Sequence, residues 1–339
     1  MLHALLFAVA RIAGVPANAA IDIPVSYVAG RVIAQPRTAV GRTLNLWVDT
    51  GGGGFGGMYL LTDAAVHRLH LETSRLTTGD KRSVPVAALP AFAPGAGVPA
   101  PVGGHSKVIV VPAKDFVGPG DPTRYDGMLG AGYLQGNPVT HDRIWTFDYP
   151  GRHLTLQRAN WRPSAGAHST PLHFPVDAQG HLTSGFARMV VRIDGQPLSM
   201  LLDTGATGYP TPAAVTAEGG TATVRATSFI TTSQLERWHK AHPQWQVVEN
   251  ADRLKAKGKP MRAIEVPAVV IAGWRTGPVW FTERPDANFQ DFMSSMMDKQ
   301  VEGAIGGNVF ERFVMTVDYG RAQAWFRCAN GCAPASGKP

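Results

Sequence analysis

Leu44-Asn45-Leu46-Trp47-Val48-Asp49-Thr50-Gly51 and Leu198-Ser199-Met200-Leu201-Leu202-Asp203-Thr204-Gly205 are two apolar, strand-like runs, each closed by Asp-Thr-Gly. One such tripeptide arises by chance in roughly one chain in ten of this length. Two copies on matching runs need a structural cause, and the flanking sequence supplies it. Thr62-Asp63-Ala64-Ala65-Val66 follows the first copy and Thr211-Pro212-Ala213-Ala214-Val215 the second. Both look like helix starts, because a Thr hydroxyl accepts from an orphan N–H and Pro suits the first helical position. Asp126-Gly127-Met128-Leu129-Gly130 is answered by Glu302-Gly303-Ala304-Ile305-Gly306, and Thr146-Phe147-Asp148-Tyr149 by Thr316-Val317-Asp318-Tyr319. Each of the last pair leads through Gly and Arg to a final strand-like run, Leu154-Thr155-Leu156 or Ala324-Trp325-Phe326. Four matching blocks in one order mean an internal duplication. The two Asp-Thr-Gly copies lie 154 residues apart, far beyond a solenoid period, so the unit repeated is a domain.

A strand ending in Asp-Thr-Gly, a distant apolar-apolar-Gly strand and a closing Asp-Tyr strand resemble the lobe pattern of the pepsin and retropepsin superfamily of aspartic proteases, most closely the retropepsin-like lobe. The resemblance covers about 22–156 and 183–326. It implies an all-β fold of two pseudo-symmetric acid-protease β-barrel lobes with a few short helices and an active-site cleft between them, both lobes in one chain. The implied division is a signal peptide at 1–19, lobes at 20–157 and 170–327, a linker at 158–169 and a tail at 328–339.

Bulk properties agree with that plan. A chain of 339 residues that is 44% hydrophobic fills two cores of ordinary size. The alternation pattern predicts strands over 25–33, 43–48, 108–112 and 263–271, and a hairpin from 187–193 through an Asp194-Gly195 turn into 198–202. Helices are few, the better candidates being 63–69 and 233–241. The 38 Gly and 26 Pro suit many turns, and 158–169, with Pro163, Ser164 and Gly166, is the natural linker. A net charge of +7 is spread over dispersed Lys and Arg, which favours solubility and steering over nucleic-acid binding. Leu2 to Ala10 is apolar and Ala17-Asn18-Ala19 fits a small-x-small cleavage site, although no basic residue precedes the run and Arg11 interrupts it. The run is too short for a stable membrane span. The two cysteines, Cys328 and Cys332, flank Ala-Asn-Gly. A turn there brings them into disulfide range, which suits a periplasmic or secreted location.

Two close carboxylates that share a proton can both activate a water and polarise a carbonyl. Like charges a few ångströms apart resist joint ionisation, so their pKa values split and the pair titrates as a unit. The resemblance assigns those catalytic roles to Asp49 and Asp203 jointly, and implies that Thr50 and Thr204 bond across the lobe interface. Gly51 and Gly205 let backbone N–H groups approach the carboxylates. No cofactor and no metal is required. The expected activity is that of an aspartic-type endopeptidase acting as a monomer on extended polypeptide. The alternative is a non-catalytic peptide-binding protein on the same frame.

Two departures from the family pattern stand out. Relatives carry Ser or Ala after Asp-Thr-Gly; here Ala206 follows the second copy, but Gly52 follows the first, in a run from Gly51 to Gly54 with Gly56 and Gly57 beyond. Without a Ser hydroxyl on the outer carboxylate oxygen, the dyad is expected to be less acid-shifted and its optimum mildly acidic. The flap that closes over substrate is expected at 93–104, Gly-rich and without the Tyr of pepsin-like flaps, with only Phe92 near it. Competing readings are weaker. A lone Asp before Thr-Gly makes an Asx-turn. Gly51-x-Gly53-x-x-Gly56 with Glu72 formally fits a dinucleotide fingerprint but lacks the strand and helix context. His67 with His70, and His239 with His242, have helix-face spacing but no third ligand in frame. Trp274, Trp280 and Phe281 are candidates for an apolar substrate wall, with core packing as their other use.

Overall fold

The computed structural model describes residues 19–79, 81–102, 106–137 and 139–335. The expected leader falls outside these residues except for Ala19. Among the described residues no helix is long and apolar enough to cross a membrane.

The fold is mostly β, with short helices and two lobes built on one plan. In the first lobe Leu46–Asp49 runs parallel to Gly127–Gly130, with Asp49 opposite Gly130. Gly127–Gly130 is antiparallel to Leu60–Thr62, which runs parallel to Lys107–Val111. The second lobe repeats this order: Gln196–Leu202 lies parallel to Gly303–Ile305, that strand antiparallel to Ser228–Thr231, and that one parallel to Val279–Arg284. Each sheet then ends in a hairpin, Thr73–Thr77 with Ser83–Ala88 in the first lobe and Val247–Ala256 with Lys259–Val266 in the second.

A six-stranded sheet joins the lobes. Its central pair is Ile144–Asp148 against Phe313–Asp318, antiparallel, with Thr146 opposite Thr316 and their hydroxyls 2.9 Å apart. Both threonines belong to the repeated Thr-x-Asp-Tyr block, so the axis of the duplication passes between them. The outer strands are paired likewise: Ile21–Ile23 on His153–Leu156, and His168–Pro171 on Gln323–Cys328. The end of the segment read as linker is therefore already a strand of the second lobe.

The register exposes one mismatch in the sequence repeat. Thr62 donates its N–H to Asp126 O at 2.9 Å, and the residue that does the same to Glu302 O is Thr231, also at 2.9 Å. Thr231 precedes the helix Thr232–Ala241 as Thr62 precedes Asp63–Arg68. Thr211 is thus not the counterpart of Thr62. It caps a separate helix, Pro212–Ala217, inside an insertion spanning 207–226 whose base is closed by Thr227 N–H donating to Ala206 O at 3.0 Å. The shared Thr-x-Ala-Ala-Val wording reflects a common capping chemistry: Thr62 Oγ accepts from Ala65 N and Thr211 Oγ from Ala214 N.

Other elements shift locally. The strand expected over 25–33 is a hairpin, Val25–Val28 and Arg31–Ala34, turned by Ala29 and Gly30 at positive φ. The run over 263–271 is split at Pro267 into Lys259–Val266 and Val269–Ile271, because Pro donates no ladder bond. The Asp194-Gly195 turn forms as read, both residues at positive φ.

The core continues through the joining sheet. Phe326 is fully buried and packs edge-on to Phe313, ring centres 5.6 Å apart. Phe326→Ala is expected to destabilise the chain by about 3–5 kcal/mol in urea unfolding, with both lobes losing structure in one transition because the sheet is common to them.

Candidate functional site

Asp49 and Asp203 end equivalent strands, and the pseudo-twofold brings them side by side. Their carboxyls hydrogen-bond to each other. Residual exposure is 7% for Asp49 and 8% for Asp203.

The loops beneath are locked reciprocally. Thr50 N–H donates to Thr204 Oγ1 at 3.1 Å and Thr204 N–H to Thr50 Oγ1 at 2.9 Å. Each hydroxyl then donates onward across the interface, Thr50 to Leu202 O at 2.7 Å and Thr204 to Val48 O at 2.9 Å. Both side chains are buried, so every donor and acceptor in this ring is satisfied by the opposite lobe.

The glycines are required by close approach. Gly51 N–H donates to its own lobe's Asp49 Oδ1 at 2.8 Å and Gly205 N–H to Asp203 Oδ1 at 2.9 Å. The steric demand comes from the other lobe: a Cβ on Gly51 would sit 2.5 Å from Asp203 Cγ, and one on Gly205 would overlap the Asp49 carboxyl. The Gly52 and Ala206 N–H groups complete the cradle, in the place of any hydroxyl.

Burial dominates the electrostatics. Desolvation, only partly offset by the hydrogen bond to Asp203 and by the Gly51, Gly52 and Gly205 N–H groups, pushes the Asp49 carboxyl up to about 6. Asp203 is raised well above the usual carboxylate range, first by desolvation and then by the charge of Asp49. At least one proton therefore stays on the pair across the weakly acidic range, and a single one once Asp49 ionises at about 6. The arrangement offers one carboxylate to accept a proton and one carboxylic acid to donate one.

Several expected features lie elsewhere. The hairpin between the first-lobe helix and Lys107–Val111 is Thr73–Thr77 with Ser83–Ala88, so the 93–104 segment is not the flap. Its described part packs inward: Val98 is buried, Pro99 O accepts from Tyr133 Oη at 2.7 Å and Ala100 O from Arg143 Nη2 at 2.7 Å. Gly103 and Gly104 lie outside the described residues. The hairpin tip, with Thr78 and Gly79, instead borders a cavity of about 570 Å³ shared with Gly54, Phe55, Phe186 and Met296. The sequence offered no apolar alternation to reveal that hairpin, since Thr73–Thr77 is largely exposed.

Trp274, Trp280 and Phe281 do not border this cavity. Phe281 is core, and Trp274 stacks on His168 and donates to Phe326 O. His242 bonds Asp194 Oδ2 at 2.7 Å and stacks on Trp245. The glycine run after Asp49 leads into a strand, Leu60–Thr62, and not into the helix a dinucleotide site needs. Cys328 and Cys332 are joined in a disulfide, Cα atoms 6.1 Å apart.

Neither a family model nor a curated protein matches this chain. Among solved structures, it is similar to the basic 7S globulin from soybean, at 13% identity and a TM-score of 0.46, covering 93% of this chain and 96% of that one. It is also similar to conglutin gamma, a basic 7S globulin from lupine seeds, at 12% identity and a TM-score of 0.45, covering 92% and 95%. These findings overturn the expected membership of the pepsin and retropepsin superfamily: no protease family is matched, and the similar structures are seed globulins.

Two outcomes follow from the site's physics. Thr50→Val and Thr204→Val each leave buried backbone groups without partners and should each cost about 1–3 kcal/mol in urea unfolding. The double variant should fall short of the sum because both belong to one ring. Secondly, a carboxyl whose folded pKa is raised keeps a proton that the unfolded chain releases, so stability falls as pH rises from near 4 to about 6 and stays lower above. Asp49→Asn should remove that cost, raising stability by on the order of 2–3 kcal/mol at neutral pH and by little at pH 3.5. Thermal melts of both proteins across pH test the crossover.

Proposed function

We propose that this chain binds extended polypeptide between its lobes and that Asp49 and Asp203 hydrolyse a peptide bond in it. The observation that carries the reading is the buried, hydrogen-bonded carboxyl pair, raised in pKa and held rigid by the Thr50 and Thr204 ring. The ionised carboxylate takes a proton from water as the water oxygen bonds to the carbonyl carbon. The protonated partner gives its proton to the carbonyl oxygen. In the resulting gem-diol the C–N bond breaks as the newly protonated carboxyl gives its proton to the amine nitrogen and a diol hydroxyl returns one to the other carboxylate, so the pair regains its starting protonation and water is the only co-reactant. A single residual proton on the pair suits both halves of this cycle.

Polypeptide binding without cleavage is the second reading, and the comparisons, which name seed globulins, stand nearer to it. The observation in its favour is how little of each carboxyl meets solvent: 7% and 8%. The disulfide Cys328–Cys332 supports export to an oxidising compartment in either case.

Asp49→Asn and Asp203→Asn separate the two readings. Under the first, wild type releases new amino groups from a mixture of denatured proteins and both variants lose at least about a hundredfold in rate while staying folded. The pH–rate profile should rise as pH passes about 6, where Asp49 ionises while Asp203 keeps its proton, because the N–H groups the pair receives do not hold it strongly acidic. Equal rates in wild type and variants would refute hydrolysis, and a maximum near pH 2 would refute the account of the pKa.

A further inference from the structure

The groove between the lobes that the proposed function requires is two-ended by symmetry, but the two ends are not alike. One end lies beside the loop after Asp49, with the second-lobe segment 285–302 across from it. The 570 Å³ cavity is here, between Phe55 of that loop and Phe186 and Met296 of the other lobe. The opposite end lies beside the loop after Asp203, with the first-lobe segment 112–124 across from it. In the second lobe that loop is lengthened by the 207–226 insertion, which has no counterpart after Asp49.

The insertion reaches the first lobe at two places. At its end, Ala226 N–H donates to Ala29 O at 2.8 Å, and a Cβ on Gly30 would stand 2.9 Å from the Ala226 methyl. Near its start, the Tyr209 ring lies so close to Gly118 that any side chain there would overlap it, and the Arg253 guanidinium lies against Gly120 in the same way. Arg253 N–H donates to Tyr209 O at 2.8 Å, tying the second-lobe hairpin to the insertion. Under this cover Arg31 pairs with Asp121 at 2.6 Å, and the two side chains are 1% and 3% exposed. Arg31 also donates to Tyr125 Oη at 2.7 Å. An ion pair so sequestered at the groove's edge means that this end is closed by the protein's own chain.

We infer that the groove accepts polypeptide from one end only, the substrate's terminus stopping at Tyr209 while the rest of it extends past Phe55, Phe186 and Met296. The inference rests on the hydrolytic reading of Asp49 and Asp203, and it changes the expected activity from internal cleavage to trimming of chain ends. Extended peptide binds such a groove by main-chain bonds and alternating side-chain pockets. The cavity of about 570 Å³ lies on one side of the scissile bond, and Phe55, Phe186 and Met296 in its mixed lining favour apolar residues in the first positions beyond it.

The experiment is product analysis by mass spectrometry on a mixture of linear peptides of about twelve residues, free, acetylated at the amino end, or amidated at the carboxyl end. Wild type should release one or two residues from a single end, and modification of that end alone should slow it. Tyr209→Ala with Arg253→Ala, and separately a variant with 208–225 replaced by a short glycine linker, should raise the ratio of internal to terminal products at least about tenfold, by returning binding contacts on the second side. Internal products from wild type in amounts equal to terminal ones would overturn the one-ended groove and leave the hydrolytic reading standing. No cleavage by wild type of any peptide, terminal or internal, would overturn both. An unchanged product ratio in both variants, each shown folded by circular dichroism, would also overturn the closure by Tyr209 and the insertion.

Discussion

Two carboxyls in contact repel once both ionise, and taking them out of water makes the charged state costlier still. The rest of this molecule is arranged to hold them there regardless. The Thr50 and Thr204 ring does so with four hydrogen bonds, none of which can form within one lobe. Its members are buried, so water does not compete for them. The glycines beside them let each backbone turn lie against the opposite carboxyl. Strand, turn and lobe interface are thereby specified together: loss of the pairing would strand six buried polar groups at once, which makes separation of the lobes at this point expensive.

The duplicated plan explains what is symmetric, and the insertion explains what is not. Sheet order, the Thr146 and Thr316 contact and the paired outer strands all repeat. After the first Asp-Thr-Gly the chain spends its residues on glycine, leaving space; after the second it spends them on a closed loop that crosses to Ala29 and Gly118. A lobe pair that began as equal halves has thus acquired a direction along its groove. Arg31 marks the change, since a guanidinium with 1% exposure is tolerable only with Asp121 and Tyr125 in place.

What was legible in the sequence was whatever the backbone imposes on both copies. The Asp-Thr-Gly ends, the apolar-apolar-Gly strands and the Thr-x-Asp-Tyr strands each sit at a buried, doubly used position, so their residue types could not drift independently of the geometry. The Thr62 and Thr211 match misled because a capping threonine followed by alanines serves any helix start, here two that are not equivalent. The hairpin Thr73–Thr77 with Ser83–Ala88 stayed hidden because its first strand is exposed on both faces and carries no alternation. Its neighbour at 93–104 looked like a flap only by its glycines. Family membership was not legible at all from short motifs, since order and spacing describe a frame that proteins of different use can share.

The repeat also builds part of the buried surroundings of the pair. Tyr149 and Tyr319 end the two Thr-x-Asp-Tyr strands, and both are buried close enough to the carboxyls to feel their charge. Neither hydroxyl has a hydrogen-bond partner among the described residues. Their rings pack instead on apolar neighbours, Tyr149 on Phe147 and Phe310 and Tyr319 on Phe174. The pair is thus backed by aromatic rings that give its oxygens no bond, while the bonds it does receive come from N–H groups in the loops. Desolvation, and for Asp203 the charge of Asp49, keep a proton on the pair above the usual carboxylate range, and the N–H groups of the loops offset only part of this. The strands that join the lobes therefore also place two buried hydroxyls within reach of the charge they bring together, and a change that let water reach Tyr149 or Tyr319 would open the interior on which the site's desolvation depends.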